Sequence, residues 1–330
     1  ALQEKVSAKR IIGVMVIGET ARADHFSLNG YQRKTNPLLG NEHIINFTHV
    51  TSSGTSTAYS VPSMFSFLEQ DDYSPEKANK VSNIVDVLQY AGVDVFWIEN
   101  NSSSKGVADR VTTINLRIAP DSSSPLYSDG GYFDEAMIPY LEQCVTDSSN
   151  DALIVLHTMG SHGPTYHKRY PQNFARFIPD CQSNSPQECS DEEVINAYDN
   201  TILYTDFVLS QLINVLKSHE SEYDSFLLYA SDHGESLGEE GVYLHGLPAF
   251  LAPEAQTHIP MIAWLSDDFS VTHGITPLAV KTDIHVELSH ENISHTLLGF
   301  YDLHTALYQE PLDLLKSIPL ERIVPTPPVN

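Results

Sequence analysis

Ile11-Ile12-Gly13-Val14-Met15-Val16-Ile17 carries no polar side chain and breaks off at Gly18-Glu19-Thr20. A strand with one wet face alternates apolar and polar residues. An unbroken apolar run suits a strand buried on both faces, as in a parallel sheet covered by helices. The signature recurs. Val93-Asp94-Val95-Phe96-Trp97-Ile98 ends at Glu99-Asn100-Asn101-Ser102, and Ala152-Leu153-Ile154-Val155-Leu156 ends at His157-Thr158-Met159-Gly160-Ser161-His162. Phe226-Leu227-Leu228-Tyr229-Ala230 ends at Ser231-Asp232-His233-Gly234. Between these runs lie helical patterns over 83–90, 132–144 and 192–217, the last burying Val194, Tyr198, Ile202, Leu209, Ile213 and Leu216 along one face. Strands over 44–50 and 259–264 and a late helix over 292–300 complete the pattern. The alternation reads as one α/β domain with a mainly parallel central sheet flanked by helices, and no repeat or low-complexity linker interrupts it.

Charge and composition narrow the function. Among 330 residues, 43 acids face 18 bases, a formal charge of -25. Bulk charge of that sign repels nucleic acid and anionic membrane. No apolar run approaches the roughly 18 residues of a membrane span, and no signal peptide is visible. Cys181 and Cys189 share a polar loop, which suits a local disulfide and an oxidising compartment. Cys144 sits in a helical pattern and reads as a buried free thiol.

Open parallel sheets bind ligands at the carboxyl ends of their strands. Glu19 stands at one such end, either as a ligand or as a solvated loop acid, with Arg22 and Asp24 close enough to pair with each other. Asp232-His233, closed by Gly234, offers adjacent carboxylate and imidazole donors, a set that suits zinc; His245 follows twelve residues on. His162 sits on the sharp His162-Gly163-Pro164 bend, as a functional or a structural histidine. Lys105, in the polar loop after the second apolar run, either meets a phosphate or is merely exposed. Ser52-Ser53-Gly54-Thr55-Ser56-Thr57-Ala58-Tyr59-Ser60-Val61-Pro62-Ser63-Met64-Phe65 crowds hydroxyls at a strand-to-helix junction. A helix start can hold a phosphate, and a Ser or Thr there can act as a nucleophile given a base or a metal. The plainer reading is that these hydroxyls cap the helix. Pro62 would kink a helix running from Thr57, which places the regular start near Ser60. A metal accounts for the whole edge at once: it would neutralise the two acids and lower the pKa of a hydroxyl.

The stretches 16–26, 54–62, 100–102, 159–164, 196–200 and 231–238 together resemble the catalytic domain of the phosphoethanolamine transferases that modify lipid A, a family that includes mobile colistin-resistance enzymes. These enzymes belong to the alkaline phosphatase and sulfatase superfamily, and the likeness runs in order from about residue 11 to about residue 300. The resemblance implies an alkaline-phosphatase/sulfatase-like fold and a zinc site of Glu19, Thr57, Asp232 and His233, with Thr57, rather than Thr55, as nucleophile. It implies substrate contacts from Lys105, Asn101, His162 and His245, the two histidines being alternatively ligands of further zinc. It implies a periplasmic domain normally joined to an amino-terminal bundle of membrane helices. The chain is then expected to be a single, monomeric catalytic domain over 1–330, with a linker over 1–10 and a loose tail over 318–330.

The implied reaction has two steps. Thr57 takes phosphoethanolamine from phosphatidylethanolamine, and a lipid A phosphate, on lipopolysaccharide, then removes it. Which histidine moves the proton stays open. A phosphodiesterase of the same superfamily, or a transferase to another envelope glycan, is the alternative. A sulfatase would need a Cys/Ser-x-Pro/Ala-x-Arg setting, which the helix-start stretch lacks. The chain departs from the family in one telling respect. Relatives commonly carry a disulfide where this chain has Ser53 and Ser63, and a second family bridge, around 121–131, is also missing; the pair Cys181–Cys189 fits a third.

Overall fold

Eight strands form the central sheet of the computed structural model, which describes residues 9–248, 250–275 and 281–317. The tail expected over 318–330 lies outside the described residues, as does most of the linker expected over 1–10; Arg10 already belongs to a strand. The strands are β1 (Arg10–Gly18), β2 (Ile44–Phe47), β3 (Asp94–Glu99), β4 (Thr112–Asn115), β5 (Ala152–His157), β6 (Tyr223–Ser231), β7 (Met261–Leu265) and β8 (Lys281–Ile284). Their order is β8-β2-β7-β6-β1-β5-β3-β4. Every pairing is parallel except those of β7, which runs against both β2 and β6.

Side chains alternate across a strand, so a strand covered on both faces feeds two cores. Met15 and Ile17 of β1 join one core with Trp97, Val155 and Leu228, while Val14 and Val16 join the other with Ile98, Leu156 and Leu227. Helices α1 (Thr57–Met64), α2 (Ile84–Tyr90) and α5 (Glu291–Phe300) supply the first core through Val61, Leu88 and Leu297. Helices α3 (Ile138–Asp147) and α4 (Asp191–Ser218) supply the second through Leu141, Val145, Leu209 and Ile213. Capping boxes start α2 (Asn83 with Asp86) and α4 (Ser190 with Glu193), each cap worth about 1 kcal/mol.

Several expectations shift. The strand expected over 44–50 is β2 plus a separate two-residue strand, Val50–Thr51, which pairs with Leu288–Ser289 outside the main sheet. The helix expected from 132 begins at Ile138, after a 3-10 turn over Asp134–Met137, with Pro139 in its first turn, where a missing N–H costs nothing. Helix α1 begins at Thr57 and not near Ser60. Pro62 is its sixth residue of eight, so its ring removes one hydrogen bond from a helix that is about to end. Cys181 is joined to Cys189, and Cys144 is free and buried. No helix among the described residues is long and apolar enough to cross a membrane.

Register fixes where chemistry can sit. Ile17 lies opposite His157 and Ala230, and Glu99 opposite His157, so β1, β3, β5 and β6 end level with one another. Beyond those ends the ladder continues for one step, Asp232 N–H donating to Gly18 O at 2.9 Å and Thr158 N–H to Ile17 O at 3.1 Å. Glu19, Asn101, Thr158 and Asp232 thereby converge on one edge.

Candidate active site

Glu19, Asp232 and His233 are completely buried there, and one ligand atom from each lies within 4.8 Å of the others. Asp232 Oδ1 accepts the backbone N–H of Thr20 at 3.1 Å and of His233 at 2.8 Å, whereas its buried Oδ2 has no partner. His233 Nδ1 lies 2.9 Å from Gly234 O, and only an N–H can face a carbonyl there, so Nε2 is the ring nitrogen left to meet a cation. That Nε2 is 3.4 Å from Asp232 Oδ2 and 3.5 Å from Glu19 Oε1. Burial raises the Asp232 pKa well above the carboxylate range, and the charge of Glu19 raises it further. Burial also pushes Glu19 up, but the imidazoles of His233 and His162 and the Thr20 hydroxyl overcome it and bring Glu19 down to about 2. An orphaned carboxylate oxygen, an imidazole nitrogen and a second carboxylate, all aimed at one point, fit a divalent cation, and the mixed O/N set fits zinc.

Two groups aim the acids. Thr20 donates its hydroxyl to Glu19 Oε1 at 2.6 Å and its N–H to Asp232, with φ 62°. Asn101 Nδ2 donates to Glu19 Oε2 at 2.7 Å and to Thr158 O at 2.9 Å.

Thr57, the first residue of α1, places Oγ1 3.1 Å from Glu19 Oε2 and 3.5 Å from His233 Nε2. The neighbouring hydroxyls do not cap the helix. Ser56 makes no side-chain cap bond, Thr55 Oγ1 donates to Leu247 O at 2.6 Å, and Ser52 Oγ donates to Gly54 O at 2.6 Å. The turn is held from below: Ser63 Oγ donates to Ser53 Oγ at 2.8 Å, and Ser53 N–H donates to His290 Nδ1 at 3.1 Å. His290 Nε2 then donates to Ser231 O at 2.9 Å, tying the turn to the end of β6.

His245 comes beside His233, ring centroids 4.3 Å apart, and His162 stands 6.1 Å from His245. Glu235 holds His245 Nδ1 at 2.9 Å through Oε2 and accepts Tyr166 OH at 2.9 Å on Oε1. Burial lowers the His162 pKa, against the pull of Glu19, so its ring is neutral at pH 7. Its Nδ1 is buried without a partner. Lys105 is less central: its Nζ donates to Ser102 Oγ at 2.5 Å. Arg22 pairs with Asp24 at 2.7 Å and also with Glu239, so it braces the turn after β1. Sequence reasoning passed over Thr20, Glu235, Tyr166 and His290. Only the Asp232-His233-Gly234-Glu235 run hinted at one of them.

The sulfatase family pattern matches residues 12–303 of this chain. Phosphoethanolamine transferase EptA of Salmonella typhimurium is 43% identical over 309 residues, 93% of this chain and 56% of that protein. Phosphatidylethanolamine transferase Mcr-1 of Escherichia coli is 44% identical over 296 residues, 88% of this chain and 53% of that protein. The chain therefore spans about half the length of the curated relatives it matches. Among solved structures, the soluble domain of lipooligosaccharide phosphoethanolamine transferase A from Neisseria meningitidis superposes with a TM-score of 0.89 at 38% identity, covering 96% of this chain and 95% of that one.

Proposed function

This chain belongs to the sulfatase family, and from that premise we propose that it is the catalytic part of a periplasmic enzyme that moves phosphoethanolamine from phosphatidylethanolamine to a lipid A phosphate, which protects the cell against colistin. The single observation that carries the reading is the position of Thr57 Oγ1, 3.1 Å from Glu19 and 3.5 Å from His233, at the start of a helix. A zinc ion held by Glu19, Asp232 and His233 would make the Thr57 oxygen a nucleophile at neutral pH and balance the buried carboxylates.

The chain's own groups supply the rest. Thr57 Oγ, its hydroxyl proton released to solvent, attacks the phosphorus of the donor, the bond from phosphorus to the diacylglycerol oxygen breaks, and that oxygen leaves with a proton. In this reading His245 gives that proton; the Glu235 carboxylate on its Nδ1, which leaves Nε2 free for the reacting oxygen, supports the role. Among the described residues the N–H groups of Thr57 and Ala58, in the first turn of α1, meet no acceptor, which leaves them as donors for a phosphoryl oxygen. An acceptor phosphate oxygen then attacks the same phosphorus, the bond to Thr57 Oγ breaks, and the threonine is restored. Neutral His162 suits the proton transfer at this second step.

Incubation with phosphatidylethanolamine alone, read by intact mass, tests the reading. Wild-type protein gains one phosphoethanolamine on Thr57, Thr57→Ala gains none, and Thr55→Ala keeps a measurable rate. An adduct on another residue, or transfer by Thr57→Ala near the wild-type rate, overturns it. Scoring transferred against free phosphoethanolamine separates a transferase from a hydrolase.

A further inference from the structure

A cavity of about 360 Å³ opens beside the site, and its lining is unlike the rest of the chain. Arg117, Lys168 and Arg169 all face it, against one carboxylate, Asp129, in a protein of net charge -25. Asn101 and His162 form its inner wall. Asn101 also donates to Glu19, so the cavity and the proposed reaction centre share a wall.

The cations there are poorly neutralised. Among the described residues Arg117 makes no side-chain hydrogen bond or ion pair, and Lys168 meets Asp129 only at 3.4 Å. Arg169 uses Nε on His162 O at 2.7 Å and Nη2 on Thr165 Oγ1 at 3.1 Å, which leaves Nη1 without a partner among the described residues. Burial lowers the Arg169 pKa and the nearby Arg117 lowers it further, against Asp134 and Glu19. Cations gathered in this way fit an anion. The anion is not the donor's transferable group: phosphoethanolamine ends in an ammonium, which these side chains repel, and its phosphorus belongs at Thr57.

We propose that this cavity seats the acceptor, a phosphorylated sugar, through Arg117 and Lys168, with Arg169 holding the His162 turn that forms its inner wall. The inference rests on the transferase reading and adds to it the place from which the second substrate approaches. A dianionic phosphate entering a chain this acidic needs local cations outside the metal ligands, and these three supply them.

The test is equilibrium binding of glucosamine 1-phosphate to the purified protein by calorimetry, at low and at physiological salt. Wild-type protein binds saturably, with a Kd on the order of 1 mM, and more weakly as salt rises. The Arg117→Ala/Lys168→Ala variant binds at least tenfold more weakly, whereas Asp129→Asn binds more tightly because it frees Lys168. Arg169 is left in place, since its loss would also release His162. Binding of equal strength in the double variant puts the ligand elsewhere and overturns the proposal, as does a lack of saturable binding below about 20 mM in wild type. The Thr57 adduct, measured with donor alone, is scored separately. Binding without an adduct removes the transferase reading and leaves an anion site, whereas an adduct without cavity-dependent binding removes the acceptor site and leaves the transferase.

Discussion

Ser53→Cys/Ser63→Cys should build a covalent clamp under the turn that carries Thr57, worth about 2 kcal/mol. The two hydroxyls already point at each other, Oγ to Oγ at 2.8 Å, and both residues are buried. Closing a loop of about eleven residues removes roughly 3 kcal/mol of chain entropy from the unfolded state. The lost Ser63–Ser53 hydrogen bond returns about 1 kcal/mol of that, so the net gain is about 2 kcal/mol. A chain of this length unfolds with an entropy near 0.7 kcal/mol/K, so Tm should rise by about 3 °C. The assay is calorimetry of oxidised and reduced variant beside wild type, with mass spectrometry to prove the bridge. Reduction should bring the variant to or slightly below wild type. Ser63→Ala alone should cost about 1 kcal/mol, and Ser53→Ala added to it should cost less than its own single effect, because the two hydroxyls satisfy each other. A bridge that forms without raising Tm, or single and double serine losses that simply add, would refute the idea that the Ser53–Ser63 pair clamps this turn.

Chelation should lower Tm by several degrees, since a cation bound at a thousandfold above its Kd contributes about 4 kcal/mol, and Asp232→Asn should remove that difference; an equal chelator effect in Asp232→Asn would count against the donor set. Asn101→Ala should weaken metal binding by at least tenfold without unfolding the domain, as read by competition with a chromophoric chelator, because Glu19 loses the donor that aims Oε2. The third prediction concerns His290, which burial pushes down to about 4 from an unfolded value near 6.5. The unfolded chain therefore binds the extra proton between those values, so this contribution is whole above pH 6.5 and falls by about 3 kcal/mol as pH drops toward 4. Denaturant titrations at pH 7, 5.5 and 4.5 should show a shallower loss in His290→Gln than in wild type; parallel curves would remove His290 from the account. Finally, thiol labelling of the denatured, unreduced protein should modify Cys144 alone.

What the sequence revealed was what burial and periodicity write locally. The apolar runs 11–17, 152–156 and 226–230 each became a strand of the sheet, since a strand covered on both faces has little room for a polar residue; so did 93–98, whose Asp94 stands at the strand's first position and accepts the Ser149 and Asn150 N–H groups. Because those strands are parallel and in register, their ends share an edge, so Glu19, Asp232 and His233 could be expected together before any distance was known. Direction was less legible: nothing in 259–264 distinguishes β7, which runs against its neighbours, from a parallel strand. The supporting groups were illegible for a different reason. His290 reaches Ser53 across 237 positions, and His245 finds Glu235 through a loop, with no periodicity to announce either contact. The Ser53–Ser63 bond is invisible as chemistry in the sequence, where the pair registers only as two absent cysteines.

Thr20 shows why such a site is built before its ligands arrive. A β-branched residue at φ 62° is sterically disfavoured by about 1–2 kcal/mol, and glycine would avoid that cost. Glycine would also lose the hydroxyl. In the left-handed conformation Thr20 sends its N–H to Asp232 and its hydroxyl to Glu19, while its carbonyl accepts Tyr198 OH at 2.7 Å from α4. One residue thus positions both carboxylates and anchors them to the longest helix. The strain persists because three hydrogen bonds over-determine it, and the one to ionised Glu19 is worth more than a neutral pair. Two buried acids that repel each other would otherwise turn apart. Held in this way, Asp232 Oδ2 stays unpartnered and aimed at the point where Glu19 and His233 also aim, so a cation entering the site meets ligands already in place.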